Sequence, residues 1–515
     1  MVAAVGSAIA FVSIVALLSR LHPAWFPSAE QTARLLESSR SRLSYPLNYW
    51  NGLAALIAVG LPLMLHVAGS AKSVVLRSLA AAALPAMALT TFLTLSRGGT
   101  VAAVVGLAVY LALTTDRLPK LGTLLTAGAG GAILIGAVAQ RHALQHGLLD
   151  TSARSQGDEM LVMAIAVCAG VALIQAGLSI VLAEERRPSW SVVPRKQARA
   201  IAIGAIAAAL LAAAAFDAPG RLSSAWGEFK QPSGSAAESG ARLATITGNG
   251  RYQYWESAAA ENRSSALNGT GPGTFEYWWA RNGTLNGFVQ DAHSLYMQTL
   301  GEQGIVGLAL LGASTLAILA GGLWRALGSS SRKRAQLAAA LAGCVAFCST
   351  AAVDWTWQLP AVAITPFLLG AVLVTAGDRS RPGSSGLGLP LRGAIAVVAV
   401  AAIAVPLAST GLVRQSQAAA REGDLAGALL DAHSARNAQP AAASPRLQEA
   451  LVLEDLGSLA AAGKAARSAS RREPTNWKTW FVLFRVESER GHVAPALRAF
   501  RRARSLNPRS SAFSQ

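Results

Sequence analysis

The sequence predicts an all-α, polytopic membrane protein carrying a C-terminal α-solenoid, on three observations. The 515-residue chain is 52% hydrophobic and only 14% charged, which is too apolar for a water-soluble enzyme of this length. Apolar runs of bilayer-crossing length recur along it, separated by short loops that hold most of the bases. Beyond residue 412 the pattern becomes rich in Ala, Arg and Glu, with helical periodicity and a repeat of 34 residues.

Taken in order, the apolar runs lie at 2–18, 51–68, 74–95, 99–115, 121–139, 160–182 and 200–217, then at 303–324, 336–353, 359–376 and 392–411. That gives about eleven spans, at about 17 to 25 residues each. In lipid no backbone polar group can go unpaired, so each must be a helix. The first run lacks a basic leader and a clear cleavage site, which predicts a retained span rather than a signal peptide.

Loop charges predict the orientation. With Met1 cytoplasmic, the loops on that side hold Lys72 and Arg77, then Arg117 and Lys120, then Arg186 to Arg199, then Arg325 and Arg332 to Arg334, and last Arg379, Arg381 and Arg392. The stretch from Arg20 to Tyr49 is a moderately basic exception. On this reading the central polar stretch and the C-terminus both face outward. The same grouping accounts for the net charge of +18 without nucleic acid. Cys168, Cys344 and Cys348 all fall in apolar segments, which supports neither a disulfide framework nor a thiolate metal site. The predicted domains are N-terminal spans (1–217), an outer loop (218–302), C-terminal spans (303–411) and the repeat domain (412–515).

The repeat shows in four columns: Gly423, Gly457 and Gly491; Ala428, Ala462 and Ala496; Ala435, Ala469 and Ala503; Pro440, Pro474 and Pro508. Small residues fit where paired helices cross closely, glycine fits the turn, and proline marks a repeat's end. These columns predict about three helix pairs and resemble tetratricopeptide repeats. The last copy matches that family best, through Trp480, Leu483, Gly491, Ala496, Phe500, Ala503 and Pro508. Such solenoids bind peptides or proteins in a concave groove. A spacer, or a cap over the active site, is the alternative. The last span is expected to run into the first repeat as one helix.

Chemistry concentrates between Gly248 and Gly307. Arg251 and Trp255, and likewise Tyr252 and Glu256, are four apart and share one side of a helix. Gly269, Gly271 and Gly273 around Pro272 make a turn-rich connection that is not a phosphate-binding Walker loop. The aromatics Phe275, Tyr277, Trp278 and Trp279 suit either a membrane-interface belt or a sugar-stacking surface. A new helix is expected from Asp291, carrying His293, Tyr296, Glu302 and Gly304 into the next span.

The break Ser96-Arg97-Gly98-Gly99 falls on the same outer face. An arginine at a membrane boundary can simply snorkel, and a lone histidine is often structural. Together, two cations and a group titrating near neutrality fit a phosphate ester attacked by a hydroxyl. Arg97 and Arg251 would hold a diphosphate, His293 would take the acceptor proton, and Asp291 could orient His293.

These motifs, SRGG after one span, then RYQYW, GTGPGTFE and AHSLYMQTLGEQGIVG entering another, resemble the O-antigen ligase and polymerase superfamily of bacterial membrane glycosyltransferases over about residues 50 to 375. The resemblance implies a GT-C-like helical fold in the cytoplasmic membrane. It further implies transfer of a glycan from an undecaprenyl-diphosphate carrier to an acceptor hydroxyl on the outer face, with neither metal nor cofactor. The family's arginines fall on Arg97 and Arg251 and its histidine on His293, with Asp291, Glu302, Trp255 and Tyr296 as supporting candidates. Ligase and polymerase differ only in the acceptor, which can be a lipid, a glycan or a protein. Two other classes compete: a polysaccharide carrier or flippase, and a membrane-anchored interaction protein. A carrier needs ionisable or helix-breaking residues within its spans, whereas ionisable groups here cluster at span ends.

Overall fold

The computed structural model describes residues 1–26, 40–181, 218–232, 247–375 and 389–513, and every regular element among them is helical. The chain divides into two units, 1–270 with 291–380, and 271–290 with 381–515.

The first unit contains α1 (Val2–Leu21), α2 (Trp50–Ser70), α3 (Val74–Leu93), α4 (Arg97–Leu113), α5 (Arg117–Ala139), the short α6 (His142–His146), α7 (Thr151–Val181), α8 (Ala218–Lys230) and α9 (Arg251–Ser264). It continues with α11 (Leu295–Leu327), α12 (Ser331–Ala351) and α13 (Pro360–Thr375). Among the described residues seven helices, α1, α2, α3, α5, α7, α11 and α12, are long and apolar enough to cross a membrane. The shorter α4 and α13 are also apolar. Nine of the eleven predicted runs coincide with these helices, while 200–217 lies outside the described residues. This is a multi-pass membrane protein.

Helix α2 is the centre of the bundle, packed against α1, α3, α4 and α12, and its side chains from Gly52 to Leu65 are all buried. Close approach depends on small residues. A Cβ at Gly99 would lie 2.3 Å from the Ala54 Cβ, and one at Gly60 would lie 2.4 Å from Ile9. Lipid-embedded helices associate through such packing because apolar surface gains nothing by leaving lipid. Leu125 of α5, Leu173 of α7 and Leu310 of α11 point outward, as lipid-facing residues do.

The expected helix from Asp291 begins instead at Leu295. Ser294 is its N-cap: its backbone is extended and its hydroxyl accepts the Met297 amide at 3.3 Å. His293 adopts φ 52 and so cannot belong to the helix. Helix α11 is then broken at Gly304, with φ 69 and ψ −168. The break frees the amides of Ile305 and Val306, which donate to Ala266 and Leu267 at 2.9 and 3.1 Å and dock the loop after α9 onto α11. A Gly304→Val variant meets both a left-handed backbone and Leu267 O at 2.2 Å. It should lose this docking, read as faster proteolysis between residues 265 and 270.

The second unit contains α10 (Phe275–Asn282), α14 (Leu389–Arg421), α15 (Leu425–Ala438), α16 (Ser444–Asp455), α17 (Leu459–Arg472), α18 (Trp477–Glu489) and α19 (Val493–Leu506). The predicted run 392–411 lies within α14, which continues to Arg421 and packs against α15. Helices α15, α17 and α19 start at Leu425, Leu459 and Val493, each 34 residues after the last. Before each, Gly423, Gly457 and Gly491 take φ 86, 71 and 73, a turn that only glycine makes without strain. The alanine columns are buried at the helix crossings.

The loop predicted as one piece, 218–302, is divided between the units: 271–290 packs with the C-terminal helices. Lys478 Nζ pairs with Glu276 at 2.6 Å and lies over the Phe288 ring, while Arg509 donates to the carbonyls of Trp279 and Gly283. Of the aromatic cluster, Phe275 and Trp279 are buried in this unit. They therefore serve packing rather than an exposed sugar platform.

Candidate active site

Two helix starts build the site. Ser96 is extended and its hydroxyl accepts the Gly99 amide at 3.3 Å, making Arg97 the first residue of α4. Gly250, at φ 81, turns the chain so that Arg251 is the first residue of α9. Both guanidinium groups thus sit at helix N-termini, where the backbone already favours an anion. Arg97 Nη2 donates to Thr247 O at 2.8 Å, three residues before Gly250, so the two motifs meet although they are 154 residues apart.

Arg97 and Arg251 line one cavity of about 460 Å³, whose wall also holds Arg42, Asn51, Thr247 and Asp354. The charged lining residues are three arginines and one aspartate, an excess of two positive charges. That matches the charge of a diphosphate diester.

Asp354, between α12 and α13, organises this end of the bundle. Its carboxylate accepts from Arg251 Nη2 at 2.7 Å, Asn51 Nδ2 at 2.5 Å, the Tyr49 hydroxyl at 2.5 Å and the Trp355 amide at 2.8 Å. Arg251 also donates from Nε to Val353 O at 2.6 Å. Its guanidinium is therefore held before any ligand arrives. Arg42 donates to Thr94 O, Leu95 O and Asn51 and lies 4.2 Å over the Trp50 ring.

Sequence reasoning missed Arg42, Asn51 and Asp354. Arg42 left a trace, because it belongs to the basic stretch that departs from the loop-charge pattern. Asp354 left none beyond being an acid between two apolar runs.

His293 does not line the cavity. Its ring lies 5.2 Å from that of Tyr254, one turn along α9 from Arg251. Its Nδ1 is 3.0 Å from the Asp291 backbone carbonyl, which makes Nδ1 the N–H nitrogen and leaves Nε2 as the basic one. The expected orienting acid thus acts through its main chain. The Asp291 carboxylate instead accepts from Gln358 at 2.5 Å and Gln298 at 3.3 Å.

The remaining candidates have packing partners. Gln298 bridges Asp291 to buried Glu302, the Tyr296 hydroxyl donates to Cys348 O at 3.2 Å, and Trp255 packs on Phe229 at 5.4 Å. None of these three lines the cavity. Among the described residues, no group of three or more His, Cys, Asp or Glu could hold a metal ion.

Burial, and after it the charge of Arg251, lowers the His293 pKa below the ordinary 6.5, although Asp354 opposes the shift. Burial likewise raises that of Tyr254. The imidazole is therefore neutral, and competent as a base, at and somewhat below neutral pH. If His293 is the base of a reaction at this site, the acid limb of its rate should lie below pH 6.5. Stability follows the same sign: the folded state binds this proton less readily than the unfolded one. The contribution is complete above pH 6.5 and is lost as pH falls through the depressed value. A rate profile from pH 4.5 to 8 checks this, and a limb at or above pH 7 would exclude His293 as the titrating group.

Compared with known proteins, residues 160–312 match the family described as O-antigen ligase. The match includes Arg251, Trp255, Asp291, His293, Tyr296 and Glu302 and leaves out Arg42, Arg97 and Asp354. No curated protein matches the chain. This domain match, spanning less than a third of the chain and in agreement with the helical membrane architecture, supports the O-antigen ligase/polymerase superfamily and a ligase/polymerase-like membrane glycosyltransferase.

Proposed function

We propose that this protein takes a glycan from an undecaprenyl-diphosphate carrier and joins it to an acceptor hydroxyl at the outer face of the bacterial cytoplasmic membrane. The observation that carries this reading is the cavity in which Arg42, Arg97 and Arg251 meet with an excess of two positive charges. In the reaction the acceptor oxygen bonds to the anomeric carbon as the bond from that carbon to the carrier phosphate breaks. The acceptor proton passes to His293 Nε2, and the arginines stabilise charge on the departing diphosphate. The N-terminal dipoles of α4 and α9 add to that stabilisation.

The C-terminal unit, read as tetratricopeptide-like repeats, is proposed to face outward and govern the acceptor. The supporting observation is that it holds 271–290, the segment between the α9 loop and His293, through Lys478 and Arg509. A protein partner could also be recognised on its remaining surface. Ligase activity is favoured as the first reading, and polymerase activity differs only in that the acceptor is another carrier-linked glycan.

Mass analysis of carrier-linked and surface glycans in a deletion strain tests the proposal. Accumulated polymer on the carrier means a ligase, and accumulated single repeats mean a polymerase. Unchanged glycans would remove the proposal.

A further inference from the structure

A second charged cavity, of about 440 Å³, lies at the other end of the same helices. Helices α2 and α4 begin beside the candidate active site at Trp50 and Arg97 and end beside this cavity at Ser70 and Leu113. A helix of 21 residues, such as α2, rises about 30 Å, the thickness of the bilayer hydrocarbon, so the two cavities open near opposite membrane faces.

The charged residues of its wall are Lys72, Arg77, Lys120 and Arg332 against a single acid, Asp116, an excess of three positive charges. Three helices of more than twenty residues or close to it, α3, α5 and α12, begin here, and none has a side-chain hydrogen bond capping its first turn. Their amide ends reinforce the field of the bases.

Topology alone explains part of this charge, because bases in loops on one side orient a membrane protein. Exposed bases such as Arg117 and Lys333 serve that purpose fully. Lys120 does not fit it. The residue is 3% exposed, with Nζ donating to Thr114 Oγ1 at 2.5 Å and Thr115 O at 2.6 Å. Burying an ammonium costs several kcal/mol in desolvation and gains nothing for orientation. Beside it, the buried side chain of Gln175 bridges α7 to α5 and α2, accepting from Thr123 and donating to Ala68 O. The wall is thus a fixed polar frame that keeps a buried cation.

We propose that this cavity binds a phosphate group, supplied by an anionic phospholipid headgroup or by a soluble phosphate. The inference stands apart from the transfer reaction, since it uses none of the residues of the other cavity. Lys72 and Arg332 are exposed, so replacing them leaves the packed frame intact.

The test uses the full chain purified in a neutral detergent. Native mass spectrometry follows retention of dioleoylphosphatidylglycerol against dioleoylphosphatidylcholine, and thermal unfolding is recorded with and without inorganic phosphate. Wild type should prefer phosphatidylglycerol, and Lys72→Gln/Arg332→Gln should reduce that preference roughly tenfold. Sensitivity confined to the lipid assigns a headgroup. A rise in unfolding temperature with inorganic phosphate in wild type, absent in the double variant, assigns a soluble phosphate. If neither probe distinguishes wild type from the double variant, the proposal is overturned.

Discussion

Replacing His293 should lower the rate of glycan transfer by about 10²- to 10⁴-fold, the usual cost of losing a general base, while donor binding survives. The choice of replacement matters, because the residue adopts φ 52. Alanine there is strained, whereas asparagine tolerates the left-handed region and cannot serve as the base. His293→Asn and His293→Ala should therefore lose transfer to a similar extent, with His293→Asn the closer to wild type in thermal stability. Substantial transfer by His293→Asn would reassign the histidine as a backbone-shaping residue that caps the approach to α11. The readout is the initial rate with purified carrier-linked donor, taken beside the unfolding temperature.

Arg251→Ala should have two separable consequences. It removes one of three cations from the cavity, and it leaves Asp354, 5% exposed, without its guanidinium partner. Breaking a buried ion pair from one side typically costs about 3–5 kcal/mol, so the unfolding temperature should drop clearly. Losing a donor that stabilises developing charge should slow transfer by roughly 10²- to 10³-fold. Adding Asp354→Asn removes the uncompensated charge but restores no donor. The double variant should therefore recover stability without recovering transfer. Recovery of both would mean that Arg251 serves the fold alone. Arg251→Lys should also transfer poorly, because a single ammonium cannot reach Val353 O and the Asp354 carboxylate together as the planar fork does.

Arg97 and Arg251 were legible because each stands beside a glycine at a break between helices, and His293 because it follows Asp291 and span counting puts it on the same face as both arginines. Their loops were also predictable as neighbours, since counting spans puts them at one end of the bundle. The start of α11 was misjudged by four residues. Periodicity runs smoothly through Asp291 to Leu295, and only the left-handed backbone at His293 and the Ser294 cap stop the helix. Trp278 and its neighbours read equally well as a sugar surface or an interface belt. Two of that cluster proved to be packing residues, because the helices that bury them lie some 200 positions later in the chain.

The sequence by itself determined the membrane class, the number and position of most helices, and the 34-residue period of the C-terminal unit. These follow from properties a single segment carries: its length, its apolarity and the turn it ends on. Tertiary structure alone decided which residues share a cavity. Arg42 and Asp354 lie more than 300 residues apart, in loops whose local patterns say nothing of each other, and they line one cavity because α2 packs against α12. It likewise decided that Asp291 holds His293 by its carbonyl and that 271–290 packs with the C-terminal helices. Such pairings depend on the geometry of several packed helices at once, which no periodicity along one segment encodes.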